Sequence, residues 1–327
     1  MTLRTYSMIS LLAAATALSA CKKQQTDAIA VIPKGTTHEF WKSVHAGAEK
    51  AAQELGIKVI WKGPLREDDR EDQIKVVETF INMRVKGIAL APLDSSALVP
   101  VVTDAMRSQI PVIIFDSDLK SDQKLSFVAT DNYVGGKLAG EYLGKLLGGK
   151  GSAMMLRYNE GSESTQQREQ GFMDAIARFP GIKVVSSNQY GGATTETAFK
   201  ASENLLTANK SGSGLAVQGI FCPNESTAFG MLRALEDGGF AGKVHFVGFD
   251  SSPKLVDAMS KGHMDATVVQ DPINMGYLAV KSMVEHLQGK PVQKRIDTGA
   301  NLITRENMNE PRNKDLLNPD FKRWLKE

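Results

Sequence analysis

Short apolar segments alternate with longer amphipathic segments along most of the chain. The run Ala28-Ile-Ala-Val-Ile32 is apolar throughout, which is typical of a strand buried on both faces of a sheet. The segment after it predicts a helix over about 39–55 that ends at Gly56. The same alternation predicts further strands near 57–61, 87–91, 111–115, 126–129, 151–156, 182–186, 217–221, 244–248 and 265–269.

Strands that alternate with helices in this way are typical of β-α-β units, parallel sheets and an α/β fold. About ten strands are more than one compact sheet usually holds, so the pattern favours two sheets. The charged run from Arg66 to Asp72 is interpreted as a solvated loop and helix start. The remaining helices are predicted near 71–84, 96–108, 133–147, 163–178, 194–208, 224–237, 252–261 and 273–288.

The composition is that of an ordinary globular protein. The 327 residues are 42% hydrophobic and 23% charged. At about 150 residues per domain, this length suggests two domains. The net charge of +2 leaves no basic surface of the kind that binds nucleic acid. Two cysteines cannot form a disulfide framework, and Cys222, in an apolar stretch, is interpreted as a buried hydrophobic residue.

The first twenty residues have the features of a secretory signal. Arg4 provides a positive charge, and the apolar segment 8–20 is too short to span a membrane. It ends in Leu18-Ser-Ala-Cys21, which resembles the bacterial lipobox, in which the cysteine is acylated and becomes the new N-terminus. We therefore expect a signal peptide, a lipid anchor on Cys21 and a polar tether over 21–27. The alternative is a plain signal peptide with an incidental cysteine.

Aromatic and polar side chains follow several predicted strands, and open α/β sheets bind ligands beyond the carboxyl ends of their strands. Aromatic rings pack on the C–H face of a sugar, while carboxylates, guanidinium groups and amides bind neighbouring hydroxyls. Each residue alone could instead be a core, capping or surface residue, and their recurrence at strand ends favours a site for a polyhydroxylated molecule. The candidates are Phe40, Trp41, Asp116, Arg168, Asn224, Asp250 and Gln270.

Eight short motifs occur in a fixed order along residues 28–300. They are Ala28-Ile-Ala-Val-Ile32, Phe40-Trp41, Phe115-Asp116, Ala129-Thr-Asp-Asn132, Arg168-Glu-Gln-Gly-Phe172, Asn224-Glu225, Val247-Gly-Phe-Asp250 and Ala266-Thr-Val-Val-Gln270. In this order they resemble the ribose/galactose class of bacterial periplasmic sugar-binding proteins, the solute receptors of ABC importers.

The resemblance implies a periplasmic-binding-protein-like fold with two doubly wound parallel-sheet domains and a three-stranded hinge. The hinge crossovers are expected near Thr130, Gln270 and Asp297. A ligand would lie between the two lobes and be enclosed by hinge closure. The N-terminal lobe is expected to comprise 28–130 and 271–297, and the C-terminal lobe 131–270 and 298–327.

The resemblance also implies ligand-binding roles. It assigns stacking to Phe40 and Trp41, hydroxyl binding to Asp116 and Asp250, and further polar contacts to Arg168, Asn224 and the hinge residue Gln270.

Three departures from the ribose-binding pattern indicate a sugar of another shape, a polyol or a sugar acid. Lys34 and His38 stand where ribose binders carry a small polar residue and an asparagine, so both are candidate ligand contacts. Ser117 replaces an arginine that is frequent there. The usual aromatic after the strand at 182–186 is missing, although Tyr190 is near.

Enzymatic alternatives have weaker support. The chain has no phosphate-binding P-loop and no Gly-x-Ser-x-Gly elbow. His38-Glu39 lacks the second histidine of a zinc protease, and His45 with Glu49 is interpreted as a surface pair. Asp116 and Asp250 leave a glycosidase open in principle.

A repressor of the lactose-repressor type would need an N-terminal helix-turn-helix, which the signal sequence replaces. A receptor of the same fold for a non-sugar ligand, or one that acts in signalling, stays open. We therefore expect a monomeric binding protein, not an enzyme, that has no cofactor or metal and does not bind nucleic acid. It would lie in the periplasm or at the cell surface and deliver a sugar or polyol to an ABC permease.

Overall fold

The computed structural model describes residues 25–325 and contains two six-stranded sheets flanked by helices. The predicted signal peptide and Cys21 lie outside the described residues. The strands are β1 Thr26–Ile32, β2 Val59–Trp61, β3 Val85–Leu90, β4 Val112–Phe115, β5 Ser126–Ala129, β6 Lys150–Arg157, β7 Gly181–Tyr190, β8 Lys210–Ser211, β9 Gly214–Leu215, β10 Gly219–Phe221, β11 His245–Phe249, β12 Ala266–Val269, β13 Arg295–Asp297 and β14 Asn301–Thr304.

Ten helices accompany these strands within the described part of the chain. They are α1 Glu39–Leu55, α2 Arg70–Met83, α3 Val99–Arg107, α4 Asn132–Leu146, α5 Glu163–Ile176, α6 Thr195–Ala208, α7 Glu225–Asp237, α8 Pro253–Lys261, α9 Pro272–Leu287 and α10 Pro311–Leu317. No helix of residues 25–325 combines the length and the apolar character that a membrane crossing requires.

The two sheets have the same arrangement of strands. The first has the order β13-β5-β4-β3-β1-β2, and all its pairings are parallel. The second has the order β14-β12-β11-β10-β6-β7, and only β14 pairs antiparallel, with β12. The chain passes between the sheets after β5, β12 and β13, close to the predicted crossovers at Thr130, Gln270 and Asp297. The predicted α/β fold with two parallel sheets is confirmed.

Each sheet has apolar side chains on both faces. Successive residues of β1 alternate between two clusters, with Ile29 and Val31 on one face and Ala30 and Ile32 on the other. The second sheet does the same, with Phe221 on one face and Ile220 and Cys222 on the other. Cys222 is fully buried, as predicted.

The predicted elements are present, and their ends differ from the prediction by a few residues. The sequence analysis missed β8, β9, β14 and α10, which are too short to show a clear periodicity. The segment after β14 does not lie at the surface along its whole length. β14 forms the edge of the second sheet, and Met308, which follows it, and Leu317 of α10 are buried in the apolar cluster on one face of that sheet.

Glycines allow two helix pairs to approach closely. A Cβ atom at Gly276 of α9 would lie 2.1 Å from the carbonyl oxygen of Val44 in α1, and one at Gly47 would lie 1.9 Å from that of Ile273. The same holds between α4 and α5, where a Cβ at Gly136 would lie 1.9 Å from the carbonyl oxygen of Arg168. These contacts fix α1 and α5, two of the helices that carry side chains of the site described below.

We predict that Gly276→Ala lowers the free energy of unfolding by about 1–3 kcal/mol, because its methyl group overlaps backbone that cannot easily move. Urea unfolding followed by circular dichroism measures this change. The control is Gly214→Ala, whose nearest atom is 3.8 Å away and which should change the value by less than about 0.5 kcal/mol. Equal stabilities of the two variants would contradict the close packing of α1 and α9.

Candidate functional site

The carboxyl ends of the strands of both sheets meet around one cavity. Its volume is about 30 Å³, room for about two water molecules. Fourteen residues line it. Six come from the first half, seven from the second, and Gln270 lies at a crossover: Lys34, His38, Phe40, Trp41, Glu67, Asp116, Tyr158, Ser164, Thr165, Arg168, Asn224, Glu225, Asp250 and Gln270.

Asp116 and Lys34 form an ion pair on the wall of the first sheet. Asp116 directly follows β4 and has a φ of 62°, a left-handed conformation that aspartate tolerates better than most residues. The Lys34 Nζ atom lies 3.0 Å from Asp116 Oδ2 and donates to the hydroxyls of Ser164 at 3.0 Å and Ser162 at 3.3 Å. All three N–H groups of this ammonium therefore have protein partners, two of them from the second half.

Glu67, in the loop between β2 and α2, accepts three hydrogen bonds in the cavity wall. Trp41 Nε1 donates to Oε1 at 2.6 Å, and the Tyr158 hydroxyl donates to Oε2 at 2.6 Å. His38 Nδ1 lies 2.6 Å from Oε1. Only 6% of Glu67 is exposed, so the interpretation of the 66–72 run as a solvated loop is wrong at this residue.

The His38–Glu67 pair is charged over a wide pH range. Burial lowers the pKa of His38, but the attraction and hydrogen bond to Glu67, together with attraction to Glu225 and Asp250, outweigh burial and raise the pKa to about 9. Burial raises the pKa of Glu67, yet His38, Lys34 and the Tyr158 hydrogen bond together lower it to about 2. The stability that the pair contributes is lost as the pH falls from about 4.5 through 2, or rises from about 6.5 through 9.

The second half supplies an arginine and an aspartate. Arg168 of α5 donates from Nε to Asn132 at 2.8 Å and from Nη1 to the carbonyl oxygen of Pro223 at 3.0 Å. Its guanidinium carbon lies 3.9 Å from the centre of the Phe249 ring, and Nη1 lies 3.8 Å from Asp250 Oδ2. Burial lowers the pKa of Arg168 from its usual value. The guanidinium is thus held in a fixed orientation.

Asp250 follows β11 in the same way that Asp116 follows β4. Its φ is 70°, and its amide donates to the Val268 carbonyl oxygen, as that of Asp116 does to Val128. Gln270 Nε2 donates to Oδ1 at 2.7 Å, and the Glu225 amide donates to Oδ2 at 3.0 Å. Burial raises the pKa of Asp250.

Glu225 caps α1 from the opposite half. Its carboxylate accepts from the amides of Glu39 at 3.3 Å and Phe40 at 3.2 Å, in the first turn of α1. The helix needs this cap because the side chain of His38, at the N-cap position, makes no capping hydrogen bond. Burial and nearby Asp250 raise the pKa of Glu225 to about 7, against the effect of His38.

All nine residues predicted to bind ligand line this one cavity. Asn224 lines the cavity and also caps α7, a role that the sequence analysis left open as an alternative. Tyr190 does not line the cavity; its ring lies under Arg157. His45 and Glu49 lie outside the cavity, and the His45 ring stacks on Trp61. The structure thus brings together the residues that the sequence singled out, and their contacts with a ligand stay a prediction.

Sequence reasoning missed five lining residues: Glu67, Tyr158, Ser164, Thr165 and Glu225. Glu67 stands in a charged run, where acidic residues are usually solvated. Tyr158 directly follows β6 and is a second-half aromatic that faces the cavity; its position at a strand end is the signal that could have found it. Within residues 25–325 there is no cluster of three or more His, Cys, Asp or Glu side chains that could hold a metal ion.

Comparison with known proteins gives a family and a set of relatives. The ribose import binding protein RbsB of Escherichia coli (strain K12) is 29% identical over 304 residues, 91% of this chain and 98% of that protein. The D-allose-binding periplasmic protein of the same organism is 32% identical and covers 78% of this chain and 83% of its own length.

The fold has solved counterparts. A carbohydrate transporter solute binding protein from Agrobacterium radiobacter, in complex with D-arabinose, superimposes with a TM-score of 0.84 at 33% identity, covering 89% of this chain and 98% of that chain. The family described as "Periplasmic binding protein domain" matches residues 29–291, most of the chain. The resemblance inferred from the motifs is therefore confirmed, and the chain belongs to the periplasmic binding protein family.

Proposed function

We propose that this chain captures an uncharged sugar or polyol between its two halves and delivers it, unaltered, to an ABC importer. The observation that supports this most is the convergence of aromatic rings, carboxylates, an arginine and two amides from both sheets on one cavity. These groups bind the faces and hydroxyls of a sugar ring. The relatives are binding proteins of transport systems and not enzymes.

The charges around the cavity favour an uncharged ligand. Lys34, His38 and Arg168 are balanced by Asp116, Glu67 and Asp250. The one further carboxylate is Glu225, whose pKa is raised to about 7. No positive charge is left over to bind an anion, so a sugar acid is the least favoured of the ligands that the sequence left open.

Gln270 supports a ligand with hydroxyl donors. Its Nε2 donates to Asp250, whereas its Oε1 is buried without a hydrogen-bond partner among residues 25–325. A buried acceptor without a donor is unfavourable by about 1–3 kcal/mol. A ligand hydroxyl would remove that cost. Ribose, D-allose and D-arabinose, which the compared proteins bind by name, all have such hydroxyls.

Ligand entry requires the two halves to separate. The cavity of about 30 Å³ is far smaller than the roughly 300–1,000 Å³ of typical ligand pockets. Such a movement would take place at the three crossovers. One lobe would comprise residues 28–130 and 271–297, and the other residues 131–270 and 298–327. Contacts between the halves, such as Lys34 with Ser162 and Ser164, would then form on closure.

The proposal includes the place of the protein in the cell. Cleavage before Cys21 and its acylation would anchor the chain to a membrane in the periplasm or at the cell surface. Residues 21–27 would form a short tether between the anchor and the two binding halves. The importer's permease is the expected partner, and the receptor would act as a monomer.

We expect pentoses, hexoses or polyols to raise the melting temperature in a thermal-shift screen, and sugar acids to have no effect. A ligand at about 100 times its Kd adds about 2.7 kcal/mol of stability.

Asp116→Asn and Asp250→Asn should each weaken the binding of the selected ligand by about 2 kcal/mol, roughly 30-fold, in titration calorimetry. The control is Asp122→Asn, an exposed residue outside the cavity. Unchanged affinity in both cavity variants, or release of sugar from a glycoside, would contradict the proposal.

The anchor is tested by Cys21→Ser, which removes the only thiol near the predicted cleavage site. We expect this variant to move from the membrane fraction to the soluble fraction of the producing bacterium, detected by immunoblot. Cys222→Ser is the matched control and should stay with the membrane. A Cys21→Ser protein that remains in the membrane fraction would refute acylation at this residue.

A further inference from the structure

Glu67 is the most highly coordinated acid of the cavity. Its two oxygens accept from three ring systems at 2.6 Å each: the imidazole of His38, the indole of Trp41 and the phenol of Tyr158. Two of these donors belong to the first half and one to the second. Because it accepts this many short hydrogen bonds, Glu67 has little capacity left to bind a ligand itself, so its effect must come through its partners.

Glu67 decides what the His38 ring can offer to a ligand. A neutral imidazole has one N–H, and a ring that donates from Nδ1 would then present a bare acceptor at Nε2. Beside the buried carboxylate the ring is an imidazolium, and both nitrogens carry hydrogen. Since Nδ1 is engaged by Glu67, any contact of this ring with a ligand is a hydrogen bond donated from Nε2.

Glu67 also fixes the orientation of Trp41. The indole N–H is tied to Oε1, and the ring packs edge-on against Phe40 at 4.9 Å and against Phe115 at 6.4 Å between ring centres. Trp41 is almost fully buried, so these contacts leave it one orientation. A stacking residue needs a fixed plane, because an ordered ring pays little entropy when a sugar packs on it.

We infer that Glu67 is a positioning residue of the ligand site, which keeps His38 a hydrogen-bond donor, fixes the plane of Trp41 and joins both to Tyr158 across the cavity. This inference rests on the proposed function for the presence of a ligand, and it makes that function more specific. The ligand group next to His38 must be an acceptor, such as a hydroxyl or ring oxygen, and an ammonium group there is excluded.

The groups around His38 agree with this role. Glu67 lies in direct contact, and the carboxylates of Glu225 and Asp250 also favour the charged ring. Lys34, the nearby cation, is paired with Asp116 and attracted to Glu67. Without the Glu67 charge, burial would dominate, and burial favours the neutral imidazole.

The test is a histidine NMR titration of the purified protein from pH 5 to 9, with the His38 signal assigned by its loss in His38→Asn. In the wild type, we expect His38 to stay protonated up to pH 8. In Glu67→Gln, its midpoint should fall by at least two pH units. The matched control Glu71→Gln, an exposed acid four residues away, should behave as the wild type. Tyr158→Phe, which keeps the ion pair, should leave the midpoint above 8.

A wild-type His38 that titrates near 6.5 would overturn the inference without any variant, as would an unchanged midpoint in a folded Glu67→Gln. Binding of D-ribose, D-allose and D-arabinose by calorimetry gives the second measurement. Glu225, whose pKa is about 7, also lines the cavity and titrates in both proteins, so the wild type provides the reference. Between pH 5.5 and 7.5, the affinity of Glu67→Gln should fall about tenfold more than that of the wild type. If neither these sugars nor the other pentoses, hexoses and polyols of the thermal-shift screen bind the wild type, the proposed ligand class is wrong, and the His38 titration still decides the role of Glu67.

Discussion

Four acidic and three basic side chains share one small cavity, and the rest of the site depends on how their charges are paired. A buried charge without a partner is unfavourable by several kcal/mol, so each of Lys34, His38 and Arg168 needs a carboxylate close by. The first two find theirs in their own half, and Arg168 has Asp250 in the second. Hydrogen bonds between the halves complete the network. The charged groups of the wall therefore have all of these partners only where both sheets meet, whereas Gln270 Oε1 has no hydrogen-bond partner among residues 25–325.

Much of this arrangement could be predicted from the sequence, because it follows from regular structure. Strands that are buried on both faces give continuous apolar runs, as in β1, and the residues after them must lie at one edge of the sheet. That is why the sequence alone places Asp116, Asp250 and Asn224 at a binding site. Arg168 was named on the same ground, but it lies on the helix that follows the loop after β6, where a single arginine is a weak signal. The motif around it added the stronger support.

The parts that could not be predicted depend on contacts between distant loops. Glu67 looks like its acidic neighbours in sequence, and only the approach of His38, Trp41 and Tyr158 buries it. Lys34 was a candidate ligand contact, yet its hydrogen atoms are directed to Asp116 and two serines more than 120 residues away. No local sequence pattern identifies such partners, since they depend on how the two sheets face each other.

The matching positions of Asp116 and Asp250 have a consequence for the design of this receptor. Each follows the third strand of its sheet, counted from the β13 or β14 edge, and each has the same left-handed backbone and the same amide contact to the next strand. One structural solution therefore occurs twice, once in each half of an internally duplicated architecture. A fragment containing one sheet would carry only one of these two aspartates and half of the cavity wall, so ligand recognition requires both halves together.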